Sequence, residues 1–398
     1  MNNLLSNKQF GFRPKRSTAT ALDSFTDDIL RNMDNGKLCG AVFLDLSKAF
    51  DTVNHSILLN KLSVAGVCED DIKWFNSYLS SRYLRTSWGQ ELSDPLPCNL
   101  GVPQGSILGP LLFIIYIDDL PNVIQHSQVA LYADDTVLYY FSSSIADIED
   151  KLNDDLKIVG DWFKVNRLTL NISKTKVMLF GSRRKTSHIS AISIKVYSKK
   201  IERVDEYKYL GVVFSSNMSW SAHIEKQLTK INKRLGLLKR IKHLLPKFAR
   251  LLYFNSLVLP LFDYGDIVWG DKDNTTLMQS LQVLHNKAAK LILDRPLQSS
   301  ASDARKELNW KELTHCRLYH RCLHIFKCKN DLLLSNLQLT KLGEHGYNTR
   351  HRNEFRLPNV KTNWGKHRLS YQAVKEWNNL SDDTKECSKI SQFKSNFF

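Results

Sequence analysis

Apolar positions change their spacing several times along this chain, and each change marks an element. In "GKLCGAVFLDLSKAFDTVNH" a short apolar strand, Ala41 to Leu46, is interrupted by Asp45 before the spacing turns helical. "HSILLNKLSVAGV" reads as an amphipathic helix closed by Gly66, and a further helix is expected from Asp70 to Ser80. "SWGQELSDPLPCNLGVPQGSILGP" is rich in turn residues and runs into the apolar segment Leu111 to Ile117. Two strands separated by a turn follow in "VALYADDTVLYY". Then Ile145, Ile148, Leu152, Leu156, Val159 and Trp162 recur at steps of three and four, the mark of an amphipathic helix. "RLTLNISKTKVMLFG" alternates as a strand. This order predicts an α+β fold, with helices laid against one face of an antiparallel sheet.

From "IERVDEYKYLGVVF" onward the pattern is mostly helical. A strand pair ends near Phe214, and Ile224, Leu228, Ile231, Leu235, Leu238 and Ile241 then form one apolar stripe. Between Ile224 and Arg250 stand nine Lys or Arg residues and a single Glu, so the wet face of that helix is strongly basic. Further helices are expected through "LLYFNSLVLPLFDYGDIVWG", "LMQSLQVLHNKAAKLIL" and "HCRLYHRCLHIFKCKNDLLL". The segment from about 341 to 398 mixes basic and aromatic residues with little periodicity.

Composition sharpens the picture in two respects. The 398 residues are 42% hydrophobic, enough for a large core, and they carry a formal net charge of +16. That surplus favours a polyanion as partner, nucleic acid before membrane, with plain solubility as the simpler account. "LGPLLFIIYI" is too short to cross a bilayer, and "MNNLLSNKQF" lacks the regions of a signal peptide. Seven scattered cysteines fit free thiols in a reducing compartment, so the expected location is intracellular, nucleus or cytoplasm.

The chemistry centres on aspartates set in apolar strands. Asp134 and Asp135 sit inside an otherwise buried run, where an unpaired carboxylate is costly. They mark either an ordinary hairpin turn or a metal site at a hairpin tip. Asp45 ends another apolar strand, and the glycine-rich "GVPQGSILGP" lies between the two. Strand-borne carboxylates brought side by side would hold two Mg²⁺ ions, with Mn²⁺ as a substitute, for in-line phosphoryl transfer. Their nearest oxygens are then expected roughly 3–6 Å apart.

Blocks in series carry a family resemblance. "QFGFRPKRSTATAL", "AVFLDLSKAFDTVNHSILLNKL", "LGVPQGSILGPLLFIIYIDDLP", "LYADDTVLYY" and "LNISKTKVMLFG" resemble, in order, the late fingers motif and motifs A to D of non-LTR (LINE-type, jockey-like) retrotransposon reverse transcriptases. "YKYLGVVFSSNMSWSAHI" is similar to the primer grip and thumb entry, and "NWGKHRLSYQAVKEWNNLSDDTKECSKISQFKS" to the family's tail. The resemblance implies a right-hand polymerase palm followed by a helical thumb. It makes Asp45, Asp134 and Asp135 the metal-binding carboxylates and Phe50 a steric gate favouring deoxynucleotides. It places Gln104 and Gly105 against the incoming nucleotide, and Lys174 near the departing pyrophosphate as general acid, with Lys176 as the substitute. Tyr209, Leu210 and Gly211 would hold the primer end. Lys226, Lys230, Lys233, Arg234, Lys239 and Arg240 would follow the backbone of an RNA template and DNA primer.

The domains implied are a fingers remnant (1–38), the palm (39–205), primer grip and thumb (206–290) and a C-terminal helical, basic region (291–398). In the family, earlier fingers segments grip the triphosphate of the dNTP, and Lys8, Arg13, Lys15 and Arg16 do not replace them. The chain is therefore expected to be an N-terminally truncated polymerase of weak activity. A catalytically inactive relic that at most binds nucleic acid is the alternative. An RNA-dependent RNA polymerase shares the palm but is disfavoured by Phe50 and Ala133. Asp118 and Asp119 are expected at a helix end, and Asp51 and His55 in structural roles. His315, Cys316, His320, Cys322, His324 and Cys328 follow a helix period rather than the spacing of a zinc knuckle.

Overall fold

The computed structural model describes residues 5–186, 192–270, 275–335, 337–345 and 353–398. Met1 to Leu4, at the start of the opening segment, lie outside them. The chain divides into two compact units, one of residues 1–21 and 37–205, the other of 22–36 and 206–398. The helix α1 (Thr18–Asp34) begins in the first and continues in the second, so the stretch expected as a fingers remnant is split at Ala21.

The first unit is α+β. Its sheet contains β1 (Leu38–Leu44), β2 (Gln128–Tyr132), β3 (Asp135–Ser142), β4 (Lys176–Phe180) and the short β5 (Glu202–Arg203). The spatial order is β5-β4-β1-β3-β2, antiparallel except for the β5–β4 pair. A central strand must be apolar on both faces, and β1 is buried at all seven positions. The sheet begins three residues before the expected Ala41 and ends at Leu44, so Asp45 stands just past the strand.

Four helices follow from the pattern. These are α2 (His55–Val64), α3 (Glu69–Leu79), α4 (Leu108–Ile117) and α5 (Ile145–Val165). Asn54 caps α2 by accepting from the Ile57 N–H at 3.1 Å. Gly66, at φ 89°, follows α2 in the left-handed conformation that ends helices. In α4 the apolar run is buried nearly all round, as a core helix requires. The expected stripe of α5 packs on the sheet in one core with α2 and α4. Gly40 permits this contact, because a Cβ there would lie 2.4 Å from Ile148 Cγ2 and 2.8 Å from Leu152 Cδ1. The turn-rich stretch after α3 holds two small antiparallel ribbons, Tyr83–Leu84 with Leu96–Pro97 and Ser87–Trp88 with Glu91–Leu92.

The second unit opens on the hairpin β6 (Glu206–Tyr209) and β7 (Val212–Ser215). Its turn, Leu210–Gly211, has positive φ at both residues (44° and 83°), the twist that a two-residue hairpin needs. Phe25 and Phe214 pack edge to face at 5.4 Å, and Phe214 meets Trp220 at the same distance. Helix α6 (Ser221–Ile241) buries Ile224, Ile231, Leu235 and Leu238 of the expected stripe. It ends nine residues before Arg250, and Pro246 precedes a separate short helix, Lys247–Tyr253. Helices α7 (Thr275–Ile292), α8 (Leu313–Lys329) and α9 (Leu369–Asn378) complete the framework. A buried pair ties α8 to α9, with Arg321 donating to both Glu376 oxygens at 2.7 and 2.8 Å. The weakly periodic tail forms short helices around Phe326, Trp377 and Phe393. Among the described residues no helix is long and apolar enough to cross a membrane.

Gly40→Val should force α5 away from β1 and lower stability by about 1–3 kcal/mol, measured as a drop in urea midpoint. An unchanged midpoint would show that α5 does not rest on the sheet at this point.

Candidate active site

The carboxylates meet because of strand register. β1 and β3 pair as far as Leu44 opposite Thr136, so Asp45 and Asp135 are each one residue beyond the last pair, near enough for the Asp45 charge to act on Asp135. Strand alternation continues the row of Ala41 and Phe43 through Asp45, and that of Tyr139 and Val137 through Asp135. This is the sheet face away from Gly40 and α5. Asp134 occupies the two-residue turn beside them, so the apolar run contains a hairpin and the aspartates stand at its tip.

Charge crowding is the main electrostatic fact of this tip. Burial first, and then the Asp134 and Asp45 charges, push the Asp135 carboxyl up to about 6. The Asp134 carboxyl is also raised, by burial and then by Asp45. Among the described residues no lysine or arginine is ion-paired with any of the three. The donor set therefore fits a divalent cation: hard oxygens with like charge left uncompensated. The three side chains do not close to within 4.8 Å of one another, as the ligand atoms of Asp263, Asp266 and His320 do in the second unit. In that second group His320 Nδ1 lies 2.7 Å from Asp266, an internally paired arrangement.

The turn between the strands is strained. Ala133 has φ 55°, a conformation costing a non-glycine residue roughly 1–2 kcal/mol. Gln9 holds it there: its Oε1 accepts from the Ala133 N–H at 3.1 Å and from the Gly11 N–H at 2.8 Å. Residues 8–10 add to the β2 edge through Phe10 N–H to Leu131 O (2.7 Å) and Leu131 N–H to Lys8 O (2.9 Å). Gln9 was missed in the sequence reading, where only the aromatic and basic residues of "QFGFRPKR" stood out. Its signal was a polar side chain just before "FGF"; the turn it supports lies 124 residues away.

The glycine-rich turn is fastened to the segment after Asp45. Gly101 N–H donates to Val53 O at 2.8 Å and Val102 N–H to Phe50 O at 2.9 Å. A Cβ on Gly101 (φ 78°) would lie 2.6 Å from the Asp51 carbonyl, so glycine is required there. His55 Nε2 and Arg82 Nη2 hold the Gly101 carbonyl at 2.8 and 2.6 Å. Asp51 accepts from Gln104 Nε2 at 2.8 Å. Asp51 and His55 thus position the turn that carries Gln104 and Gly105. Gly105 (φ 82°) has open space where a Cβ would stand. The Phe50 ring is half-buried and stacks on Phe113 at 4.5 Å.

The loop bearing Lys174 is anchored to Asp45 through the backbone. Asn171 N–H donates to Asp45 O at 2.8 Å, and Ser47 N–H to Thr169 O at 2.8 Å. Lys174 is exposed and among the described residues makes no ion pair, whereas Lys176 is held by Glu202 at 2.5 Å. Asp118 accepts from the Ser6 N–H and Asp119 pairs with Lys61, both at a helix end.

In the second unit the expectations divide. The Tyr209 ring is 3% exposed and packs on Phe25, because strand alternation turns it into the core. The turn Leu210–Gly211 is half-buried, and the Leu210 carbonyl accepts from Tyr264 at 2.8 Å. The basic stretch is also less free than its composition implies. Lys226 pairs with Glu206, Lys242 with Asp294 and Lys247 with Glu307. Among the described residues Lys230, Lys233, Arg234, Lys239 and Arg240 have no acidic partner. Of the histidines and cysteines of α8 only Cys322 and His324 are buried, His324 beside Asp23, and the others are half-buried.

A sheet with two antiparallel strands presenting aspartates at one end, crossed by helices on the other face, defines the palm of a nucleotidyl-transferring polymerase. Residues 1–214 match the family "Reverse transcriptase (RNA-dependent DNA polymerase)", and the chain belongs to it, among the non-LTR retrotransposon members. It is 29% identical over 323 residues to a Drosophila melanogaster protein described as "Probable RNA-directed DNA polymerase from transposon BS", covering 77% of this chain and 34% of that one. It is 27% identical over 316 residues to the "RNA-directed DNA polymerase from mobile element jockey" of the same species, again 77% and 34%. The chain spans about a third of the length of these relatives. A solved apo telomerase from Candida tropicalis is similar at 11% identity over 75% of this chain and 48% of that one, with a TM-score of 0.40.

The raised Asp135 carboxyl sets a pH dependence. Between the ordinary value of 3.8 and about 6 the folded chain holds a proton that the unfolded chain has lost. Stability from this group is therefore lost as pH rises through that window. Mg²⁺ needs the ionised form, so its stabilising effect should appear as pH rises through about 6. Urea midpoints at pH 5 and 7.5, with and without Mg²⁺, check this against Asp135→Asn, which should lose most of both effects. Equal behaviour of the two proteins would remove Asp135 from the metal site.

Proposed function

We propose that this chain is the polymerase core of a non-LTR retrotransposon, adding deoxynucleotides to a primer 3′-hydroxyl on an RNA template. The observation that carries the reading is the register that brings Asp45 near Asp135 beside the strained Asp134 turn. Relatives named as RNA-directed DNA polymerases support it. Asp45, Asp134 and Asp135 are the residues that would hold Mg²⁺ or Mn²⁺. When bound, such a pair of ions stabilises the attacking and leaving oxygens of an in-line displacement.

The remaining residues position the substrate. Phe50, braced from behind by Phe113, forms a stiff plate against which a ribose 2′-hydroxyl would clash. The open backbone at Gly105 allows a nucleotide to approach closely, and Asp51 orients Gln104 for it. Lys174, on the loop fixed to Asp45, donates a proton to the departing pyrophosphate. The primer end rests on the backbone of Leu210–Gly211. Lys230, Lys233, Arg234, Lys239 and Arg240 bind template–primer phosphates, with Lys226 shared between this role and Glu206.

Primer extension tests the reaction. Incorporation of dNTPs should vanish in Asp134→Ala, and Phe50→Val should raise ribonucleotide use relative to deoxynucleotide use. Extension that survives Asp134→Ala would place the chemistry elsewhere, and an unchanged dNTP-to-NTP ratio would do the same for the gate.

Affinity for a primed template should fall steeply with salt, by about 0.9 log–log units per phosphate neutralised. Changing Lys230, Lys233, Lys239 and Arg240 to Gln should flatten that slope by about 3–4 units, while changing the paired Lys242 and Lys247 should leave it nearly as it was. Equal effects from both sets would contradict the division of charge on this stretch.

A further inference from the structure

A cavity of about 420 Å³ lies within the second unit, and none of its lining residues is assigned to polymerisation. Three arginines reach its wall, and two are already neutralised. Arg305 donates to Glu312 at 2.8 Å, and Arg321 is held by both oxygens of Glu376. Arg317 is different. It is 4% exposed, and its Nε and Nη2 have no hydrogen-bond partner among the described residues. Its Nη1 meets only Met278 Sδ, a weak acceptor, at 2.7 Å. The nearest carboxylates, Asp263 and Asp266, act on it at longer range, and Asp266 is bound by His320.

The surroundings hold this guanidinium in place. It lies over the Trp269 ring at 5.3 Å, and Gly270 makes room for it, since a Cβ there would stand 2.9 Å from Arg317 Cδ. The same cavity receives the first turn of α8, where Leu313 and Thr314 line the wall. Glu312, at the cap position, makes no side-chain cap and turns its carboxylate to Arg305. A buried, unpaired arginine one turn from a helix N-terminus is a site for an anion: fork and helix dipole converge on one negative group.

We propose that this cavity binds a phosphomonoester carried on a body of nucleoside size, with Arg317 and the first turn of α8 on the phosphate. A bare phosphate would leave most of the space empty, and Gln279 and Ser302 on the wall offer polar contacts to the attached group. The phosphate belongs either to a free nucleotide or to the 5′ end of a strand; the chemistry at Arg317 is the same. The site does not depend on the polymerase reading.

Calorimetric titration of the full chain tests it, with a nucleoside monophosphate, the matching nucleoside and inorganic phosphate as probes. The monophosphate should bind about tenfold or more tightly than the nucleoside. Arg317→Met, which keeps the apolar stem, should abolish the difference. Gln279→Trp, which fills the mouth from an exposed position without touching Arg317, should do the same and covers the case in which Arg317→Met does not fold. Asp134→Ala should leave binding unchanged. Short strands with a 5′-phosphate or a 5′-hydroxyl separate the two sources, because the basic face of α6 contributes equally to both. Preference for the phosphorylated strand assigns a strand end; none, with the nucleotide bound, assigns a free nucleotide. Equal binding of nucleoside and monophosphate, or binding indifferent to Gln279→Trp, would overturn the proposal.

Discussion

Electrostatic repulsion among Asp45, Asp134 and Asp135 is the constraint around which the first unit is organised. A sheet would ordinarily keep such groups apart, since like charges directly opposed on neighbouring strands are destabilising. Here the pairing of Leu44 with Thr136 brings two of them near each other, and the turn adds the third. The apolar strands on either side fix that register, because a slip of one residue would expose the whole core face. The core thus supplies the stability that the acidic tip consumes.

The supports of the tip come from distant parts of the sequence. Gln9 steadies Ala133, Asn171 and Thr175 hold the backbone of Asp45, and the glycine-rich turn is fastened to residues 50–55. Each support bonds backbone groups rather than the carboxylates. The acidic oxygens consequently remain open to a cation while the chain beneath them is fixed. Such division of labour suits a centre that must bind hard ions and release product without reshaping its own strands.

Much of this was legible in the sequence, and the reason is local. The stripe of α5, the alternation around Asp134 and the turn glycines are properties of neighbouring residues, and they produced the expected elements. Asp45 could be paired with Asp134 and Asp135 because each interrupts an apolar run, whatever the register between them. What stayed hidden depends on partners far along the chain. The packing of the Tyr209 ring on Phe25 is of this kind. Asp51, 53 residues from Gln104, gave no sign that it would orient that amide. The nine basic residues after Ile224 were counted as one surface, yet Glu206, Asp294 and Glu307 pair with four of them, Lys226, Lys242, Lys247 and Arg250.

That redistribution changes how the net charge is to be understood. A formal +16 spread evenly would make the whole surface weakly attractive to any polyanion. Pairing instead engages Lys226 and the cations beyond Ile241, and among the described residues leaves Lys230, Lys233, Arg234, Lys239 and Arg240 of α6 without an acidic partner. These unpaired cations then recur over successive turns of one helix, which is how a protein follows a phosphate backbone without reading bases. Arg317 shows the opposite use of the same side chain. Buried between Trp269 and Met278, it is useless for steering, and its unpaired guanidinium is costly unless a ligand completes it. Exposed cations on α6 and the one enclosed arginine of α8 that lacks an acidic partner among the described residues therefore serve different kinds of recognition, the first by long-range attraction and the second by a directed fork.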